Sequence, residues 1–334
     1  MTNVYVMVGL PGSGKSVCAK NLHKEFIYGG RNSVYLSSDS YREKLLGDEN
    51  DQSNNTLVFD TMYSDFREHL KNKVDDIILD MTNTTAKNRK RIFEQIRKVC
   101  PDMDGVKVIA YVMATPISVV VKRDKERERT VGEEVIKKFL CSFQFPQKFE
   151  GFSEIWINCF ALGDFHEEGT VGGLFISSSY DFVRSQMSEF DQKNPHHAYT
   201  LGKHCTEVAI EWLKKNGTKN DAGYKAALIH DIGKLFTQTF DENGVAHYYN
   251  HDSIGAYIIA CNLDIIQPCV NWDELFEVLF YVNYHMRAHN DFKNEKAERK
   301  YRALFGNERF DRLMMFGECD RLGNGTSGKE NVNG

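Results

Sequence analysis

A short stretch near the start of the chain constrains its fold more than any other feature. Between residues 4 and 16 an apolar run breaks into glycines and ends in Lys15-Ser16. The end of this stretch fits the pattern G-x-x-x-x-G-K-[ST], which requires a buried strand before it and a helix after it. The apolar run predicts that strand, and the residues from about 16 to 26 predict the helix. The sequence therefore predicts a phosphate loop that binds a nucleoside triphosphate.

Each residue type in this loop has a physical role in binding ATP. Glycines allow backbone conformations that a Cβ atom would prevent, so that successive N–H groups can turn toward a phosphate. Lys15 is expected to bridge the β- and γ-phosphates and Ser16 to hold Mg²⁺, while the positive end of the following helix faces the same anion. The predicted nucleotide-binding residues of the loop are Gly9, Gly12, Ser13, Gly14, Lys15 and Ser16.

Strand patterns alternate with helical patterns through the first half of the chain. Predicted strands lie at about 4–8, 33–39, 75–80 and 106–113, and predicted helices at about 56–74 and 88–99. This alternation predicts a parallel, doubly wound α/β sheet, in which ligands gather at the carboxyl ends of the strands. Asp39 and Asp80 end predicted strands, so we expect both carboxylates near the phosphate loop.

Two alternatives are open for each of these aspartates. Asp39 could orient an acceptor hydroxyl and take its proton, with Arg42 one helical turn later to hold a phosphate of the acceptor. An aspartate after a strand is, however, often only the N-cap of the next helix. Asp80, followed by Thr82 and Asn83, either binds Mg²⁺ through water or builds the turn.

Charged residues of both signs crowd the segment 121–129, which follows the fourth predicted strand. Taken alone, such a segment is typical of a solvated helix face. In a phosphate-loop protein it is also where a lid could supply cations to the phosphoryl group in transfer. Arg123 and Arg127, four residues apart, would share one face of a helix and are the predicted lid residues.

These motifs together resemble the 5′-polynucleotide kinase domain of the phage and RNA-repair enzymes, within a wider group of small phosphate-loop kinases. The resemblance rests on the phosphate loop, the segments 38–42 and 80–83 and the two lid arginines, and it covers about residues 1–158. It implies that Asp39 is the general base, that Arg42 holds the acceptor's phosphate, and that the lid arginines serve the transfer. It also implies ATP and Mg²⁺ as cofactors and a 5′-hydroxyl end of RNA or DNA as the acceptor.

The second half of the chain has a different pattern. A connection with glycine and serine at 159–179 marks the boundary. We predict a first domain at 1–160, a connector at 161–185, a second domain at 186–325 and a tail at 326–334. Helical spacing recurs after the connector at about 200–215, 223–232, 252–263, 272–286, 295–305 and 309–322. Strand patterns are lacking there, so the second domain is predicted to be all-α.

Histidines are concentrated in this half of the chain, where nine of the eleven follow residue 165. Residues 1–165 carry 24 Lys and Arg against 23 Asp and Glu, a net charge of +1. Because the net charge of the whole chain is −5, the remaining residues carry a net charge of −6. Imidazole and carboxylate ligands suit a divalent transition metal such as Mn, Ni, Co, Fe or Zn, although a single histidine is most often an ordinary core or surface residue. The candidate ligands are His204, His230, Asp231 and Asp320, with His251 and His285 as further candidates.

In its order and local motifs this set resembles the HD phosphohydrolase domain, especially the form attached to bacterial tRNA nucleotidyltransferases. The match covers about residues 190–325 and includes the adjacent pair His230-Asp231. The resemblance implies that the first four candidates bind a metal and that His251 and His285 complete a second metal site where one exists. It also implies that Lys234 lies near the scissile phosphate.

Both resemblances together predict an enzyme that processes nucleic-acid ends. One domain would phosphorylate 5′-hydroxyl ends with ATP, and the other would hydrolyse a 2′- or 3′-phosphate or a 2′,3′-cyclic phosphate, as RNA repair requires before a ligase acts. The alternative is a kinase of a nucleoside or other small molecule fused to an HD nucleotide phosphohydrolase, which the lack of a basic excess favours. The oligomeric state stays open.

The remaining composition limits the setting in which the protein is expected to act. The eight cysteines are scattered without a C-x-x-C pair and are expected to be reduced thiols. No apolar run reaches the length of a membrane span, and no charged-then-apolar leader precedes the first predicted strand. These features predict a cytoplasmic protein without a membrane partner.

Overall fold

The computed structural model describes residues 1–127, 130–159, 180–195, 197–266, 271–290 and 294–325. The chain forms two compact units. The first unit comprises Met1–Thr115, Val119–Phe139 and Pro146–Phe160, and the second comprises Pro116–Ser118, Leu140–Phe145 and Ala161–Gly334. Most of the predicted connector, residues 161–179, and the predicted tail at 326–334 lie outside the described residues.

A five-stranded parallel sheet forms the centre of the first unit. Its strands are β1 (Thr2–Val8), β2 (Ser33–Ser37), β3 (Asp76–Asp80), β4 (Val106–Ala114) and β5 (Glu154–Cys159). They lie side by side in the order β2-β3-β1-β4-β5, and all four pairings are parallel. The central strand β1 is buried on both faces from Val4 to Val8, which explains why its sequence is a continuous apolar run. The predicted parallel α/β fold is confirmed.

Helices connect these strands along the chain. They are α1 (Lys15–Tyr28), α2 (Ser38–Leu46), α3 (Asn55–Lys71), α4 (Ala86–Arg97), α5 (Ile117–Glu126) and α6 (Glu133–Cys141). In α3, Val58, Met62 and Phe66 are buried at four-residue spacing, and the side chain of Asn54 caps the first turn. The predicted strand at 33–39 is two residues too long, because α2 already begins at Ser38.

A buried ion pair connects α4 to the segment before β5. Arg89 donates from Nε to Glu150 Oε2 at 2.8 Å and from Nη2 to Oε1 at 2.7 Å, and both side chains are buried. Its Nη1 donates to the carbonyl oxygen of Asn83 at 2.9 Å. This paired guanidinium fixes the turn that follows Asp80, a predicted site residue at the end of β3.

The second unit is helical, as predicted. Its helices are α7 (Tyr180–Glu189), α8 (Leu201–Asn216), α9 (Ala222–Ala227), α10 (Lys234–Thr237), α11 (His251–Cys261), α12 (Trp272–Asn290), α13 (Glu295–Phe305) and α14 (Asn307–Leu322). The all-α prediction missed a hairpin in which β6 (Gln238–Phe240) pairs antiparallel with β7 (Ala246–Tyr248). Strands of three residues are too short to show an alternating pattern.

The prediction for α9 was also wrong in its extent. The helix predicted at 223–232 ends at Ala227, and residues 228–233 form turns. This break allows the adjacent His230 and Asp231 to project into one site, whereas successive side chains of a helix point about 100° apart. Gly233 makes the close packing possible, because a Cβ atom there would lie 2.0 Å from the carbonyl oxygen of His251.

An aromatic cluster fixes the helices of the second unit. The rings of Trp212 on α8, Tyr281 on α12 and Phe316 on α14 lie with their centroids 5.6, 5.7 and 5.1 Å apart. Trp212 also donates from Nε1 to Asp221 Oδ1 at 2.7 Å, and the same carboxylate caps α9. Within the described ranges, no helix combines the length and apolar character that crossing a membrane requires.

Candidate functional site

The phosphate loop closes on itself at the carboxyl end of β1. Gly12 and Gly14 have φ angles of +79° and +90°, in the left-handed region that favours glycine. Ser13 donates its backbone N–H to the carbonyl oxygen of Leu10 at 3.2 Å, and Lys15 Nζ donates to the same oxygen at 2.8 Å. The loop therefore has the turn that the sequence pattern predicts, with the lysine folded across it.

The Lys15 ammonium is buried, and its Nζ donates to a backbone carbonyl oxygen rather than to a carboxylate. Burial lowers the pKa of Lys15 to about 8, although the negative charges of Asp80 and Asp39 act in the opposite direction. The positive charge of Arg127 lowers this pKa further. A triphosphate at the loop would supply the charge that the burial makes costly to leave unpaired.

Asp80 and Asn83 take different roles after β3. The buried carboxylate of Asp80 accepts a hydrogen bond from the Tyr35 hydroxyl at 2.6 Å, which fixes one oxygen. Asn83 has a φ angle of +46°, and its Nδ2 donates to the carbonyl oxygen of Met7 at 2.9 Å. Asn83 therefore builds the turn, and Asp80 is a carboxylate at the carboxyl end of the sheet.

Asp39 and Arg42 form an ion pair in the first turns of α2. Arg42 Nη1 lies 2.6 Å from Asp39 Oδ1, and the aspartate side chain is 42% exposed while the arginine side chain is only 9% exposed. The N-cap position of α2 is Ser37, so Asp39 does not cap this helix. Arg42 Nε is buried without a hydrogen bond. The pair thus presents an accessible carboxylate beside a guanidinium with one unsatisfied N–H.

The predicted lid arginines line a cavity of about 800 Å³ that residues of the phosphate loop also line. Arg123 is on α5, with Nη1 3.5 Å from the carbonyl oxygen of Ser13. Arg127 lies one residue beyond the end of α5 at Glu126, and its backbone N–H donates to the carbonyl oxygen of Asp124 at 3.4 Å. Both side chains nevertheless line the cavity.

A carboxylate that the prediction did not use shapes this segment. Asp124 is buried and accepts hydrogen bonds from the backbone N–H groups of Val131 at 3.0 Å and Gly132 at 2.9 Å. It therefore anchors the chain beyond α5 to the helix that carries Arg123.

In the second unit, one cluster brings together all six candidate metal ligands. They come from five places: His204 on α8, His230 and Asp231 in the turns after α9, His251 at the start of α11, His285 on α12 and Asp320 on α14. All six side chains are buried. Three overlapping groups of three residues each have ligand atoms within 4.8 Å of one another.

The four histidines are oriented by the protein backbone. Each Nδ1 lies 2.7–3.2 Å from a carbonyl oxygen, which can only accept, so each Nδ1 carries the hydrogen and donates it. In the neutral ring this leaves a lone pair on each Nε2. The Nε2 atoms of His204 and His230 are buried without a hydrogen bond, and those of His251 and His285 face each other at 3.1 Å. Such orientation is typical of metal-binding histidines.

Asp231 lies between two pairs of these histidines. Its Oδ2 lies 3.3 Å from His204 Nε2 and 3.5 Å from His230 Nε2. Its Oδ1 lies 3.1 Å from His251 Nε2 and 3.4 Å from His285 Nε2. The carboxylate therefore has one oxygen for each pair, an arrangement that fits two cations sharing one ligand.

The charges in the cluster are also those of a cation site. Burial alone would lower the pKa of His204, but the carboxylates of Asp231 and Asp320 raise it to about 9. Burial would raise the pKa of Asp231, but Lys234 and His230 hold it well below its usual range. Two buried carboxylates that stay ionised require positive charge beside them, as protons on histidine or as metal.

The Lys234 ammonium contacts one of the predicted metal ligands. Its Nζ is 2.7 Å from Asp231 Oδ2, donates to Gln192 Oε1 at 3.0 Å, and lies 3.4 Å from His197 Nε2. Its three N–H groups therefore have partners within the protein. A cavity of about 330 Å³ opens beside it, also lined by Asp231, His251 and Asp320.

The prediction missed His289 as a site residue. His289 Nε2 lies 2.7 Å from Asp320 Oδ2, while the other oxygen of Asp320 faces His204 at 3.1 Å. The signal was present in the sequence, because His285 and His289 are four residues apart and share a face of α12. His289 thus holds the carboxylate of a predicted ligand.

Comparison with known proteins bears on the first half of the chain. Residues 4–146 match a family model described as an AAA domain. The L-seryl-tRNA(Sec) kinase of Methanococcus maripaludis is 29% identical over 141 residues, which are 42% of this chain and 52% of that protein. The chain thus spans about half the length of this curated relative.

Two solved structures of RNA-acting proteins are among those similar to this chain. A chain of the Pnkp1/Rnl/Hen1 RNA repair complex is 22% identical, with 41% of this chain and 42% of that chain covered and a TM-score of 0.35. A fungal RNA kinase is 15% identical, with 50% and 40% covered and a TM-score of 0.37. The loop geometry, the family match and the curated relative together support the description of the first unit as a kinase-like phosphate-loop domain.

Proposed function

We propose that this protein processes nucleic-acid ends, with an ATP-dependent 5′-hydroxyl polynucleotide kinase in the first unit and a metal-dependent HD phosphohydrolase in the second. The Asp39–Arg42 pair carries the first proposal. An exposed carboxylate paired with a guanidinium suits an acceptor that offers a hydroxyl to the first and a phosphate to the second. The 5′-terminal nucleotide of a polynucleotide offers both groups.

Each residue of the first unit then has a part in phosphoryl transfer. Asp39 orients the 5′-hydroxyl and takes its proton as the oxygen attacks the γ-phosphorus, and ADP leaves. Lys15 and the lid arginines Arg123 and Arg127 stabilise the charge on the phosphates. Ser16 and Asp80 are suited to hold Mg²⁺, which when bound neutralises the β- and γ-phosphates. The relative named as a kinase of L-seryl-tRNA(Sec) supports an acceptor hydroxyl carried on RNA.

The orientation of the four histidines carries the second proposal. His204, His230, Asp231 and Asp320 would hold a divalent transition metal such as Mn, Ni, Co, Fe or Zn, and His251 and His285 would complete a second site next to Asp231. Such a metal, when bound, lowers the pKa of a water ligand and polarises a phosphoryl oxygen. One water would open a 2′,3′-cyclic phosphate to a 2′- or 3′-phosphate monoester, and a second would release inorganic phosphate from that monoester, leaving an end that a partner ligase could join.

The test of the kinase proposal offers labelled ATP with a 5′-hydroxyl oligonucleotide, of RNA or DNA, and with a panel of nucleosides. We expect label on the oligonucleotide and a loss of about 100- to 10,000-fold for Asp39→Asn, because a general base contributes about that factor. Asp102→Asn, at an exposed loop position, is the matched control. Label on nucleosides but never on oligonucleotides would refute the proposal.

One observation favours a second candidate, a small-molecule kinase fused to an HD nucleotide phosphohydrolase. Residues 1–165 carry a net charge of only +1, from 24 Lys and Arg against 23 Asp and Glu, whereas proteins that bind nucleic acid usually have a basic surface. The same assay separates the two candidates, since the second predicts transfer to a nucleoside or another small acceptor.

A further inference from the structure

The short hairpin beside the metal-ligand cluster carries an exposed aromatic stack. Tyr249 follows β7 and is 68% exposed. Its ring lies nearly parallel to that of His247, with an angle of 8° between the planes and 5.7 Å between the centroids. Both rings line the same cavity of about 330 Å³ that is lined by Asp231 and Asp320.

The hairpin is fixed relative to this cluster. The Tyr248 hydroxyl accepts a hydrogen bond from Gln238 Nε2 at 2.8 Å across the strand pair, and the Tyr248 carbonyl oxygen accepts from His251 Nδ1 at 2.7 Å. Asn250 has a φ angle of +60°, a left-handed turn that separates Tyr249 on the cavity rim from His251 in the cluster. The position of Tyr249 is therefore determined by the same turn that positions a predicted metal ligand.

The cavity offers a nucleic-acid end little positive charge from its own side chains. Among the described residues that line it, Lys234 is the only lysine or arginine. The N–H groups of Lys234 already have Asp231, Gln192 and His197 as partners. Affinity for a phosphate end must therefore come from the metal and from an uncharged contact, and a flat exposed ring supplies that contact to a base.

We propose that Tyr249, supported by His247, is a stacking platform for the base of the terminal nucleotide whose phosphate enters this cavity. The proposal rests on the phosphohydrolase function of the second unit and specifies its substrate class: a single-stranded end that retains its base. Stacking tolerates any base, because every base has a π face, so the platform selects nucleotides over other phosphate esters without reading sequence.

The test uses the whole 334-residue chain loaded with Mn²⁺ and two oligonucleotides that end in a 3′-phosphate. One has adenine on its last nucleotide, and the other has an abasic residue there. For Tyr249→Ala we expect the KM for the adenine end to rise about tenfold with kcat nearly unchanged, and the abasic end to be hydrolysed as by the unmodified protein. Tyr249→Phe should restore the adenine KM, and Phe240→Ala on the same hairpin is the matched control.

A binding measurement separates failure of this proposal from failure of the phosphohydrolase. Calorimetry with adenosine 3′-phosphate should show about tenfold weaker binding to Tyr249→Ala than to the unmodified protein. If neither end is hydrolysed but this difference is found, the platform stands and the hydrolase proposal falls. Equal effects of Tyr249→Ala on both ends, or no effect on either hydrolysis or binding, would overturn the platform.

Discussion

The two candidate sites are built in opposite ways. The phosphate loop is made by consecutive residues, with glycine conformations at Gly12 and Gly14 that aim backbone N–H groups. The cluster of candidate metal ligands is made by six side chains from five separate places between His204 and Asp320. A site of the first kind is fixed by local sequence, whereas a site of the second kind exists only when the helices around it are packed.

The two sites also differ in the sign of the charge that their buried groups favour. The buried ammonium of Lys15 has a lowered pKa and needs an anion. The buried carboxylates of Asp231 and Asp320 keep pKa values well below the usual range and need cations. The buried lysine suits an anionic substrate that binds and dissociates, whereas the buried carboxylates suit a tightly bound metal ion. The following predictions test that contrast.

The largest expected effect is that of Asp231→Asn, because this carboxylate is shared by both pairs of histidines. We expect the bound metal to be lost and phosphate release to fall by at least about 1000-fold, since a bound metal contributes several kcal/mol to transition-state stabilisation. Metal analysis and release of inorganic phosphate from a 3′-phosphate end measure the two effects. Asp264→Asn, an exposed aspartate in the same unit, is the control. A variant with full metal content and full activity would show that the cluster is not the site.

The matching change in the first unit is Lys15→Met. Loss of one preorganised cation at the phosphates is expected to lower the rate of phosphoryl transfer about 100- to 1000-fold. Lys20→Met, exposed on α1, should leave the rate unchanged. Both rates are measured in one preparation, so that 5′-phosphorylation and phosphate release are compared directly. If Lys15→Met also abolished phosphate release, the contrast between two independent sites would fail.

The contrast explains which features could be predicted from sequence. The phosphate loop, the parallel sheet and most helices follow from local patterns, because glycine positions and apolar spacing act over a few residues. The early end of α9 was missed, since it depends on the close approach of Gly233 to His251 rather than on propensity. The ion pair of Arg89 with Glu150 joins residues 61 positions apart and has no local signal.

The candidate metal ligands of the second unit were predicted from their order along the chain and from local motifs. The residues that contact these ligands were not predicted. The Asp39–Arg42 pair was predictable from its spacing within one helical turn. The contact of His289 with Asp320 joins two helices, and the stack on the hairpin depends on strands too short to recognise. The partners of the side chains that orient a site therefore emerge only from tertiary packing.

A smaller effect is expected for His289→Ala, because His289 orients a ligand rather than binding the metal in the proposed scheme. Loss of such a partner typically costs about 10- to 100-fold in metal affinity or activity. His289→Gln, whose amide can still donate to Asp320, should recover most of the loss. Metal affinity is measured by competition with a chelator, beside the hydrolysis rate. An equally large loss in the glutamine variant would exclude a role through this hydrogen bond.

The smallest effect is a pH dependence of ATP binding to the first unit. The pKa of Lys15 is lowered to about 8 by burial, so the free protein carries a protonated lysine below pH 8 and a neutral one above it. Bound triphosphate favours the protonated form of Lys15, so the protein takes up a proton when ATP binds above pH 8. The affinity for ATP therefore falls as the pH rises. We expect the affinity for ATP to fall about tenfold from pH 7 to pH 9 and proton uptake near about 0.9 at pH 9. Calorimetry in two buffers of different ionisation enthalpy measures both, and Lys15→Arg, which stays charged, should remove the dependence. If Lys15→Arg shows the same pH dependence of ATP affinity, that dependence belongs to another titratable group.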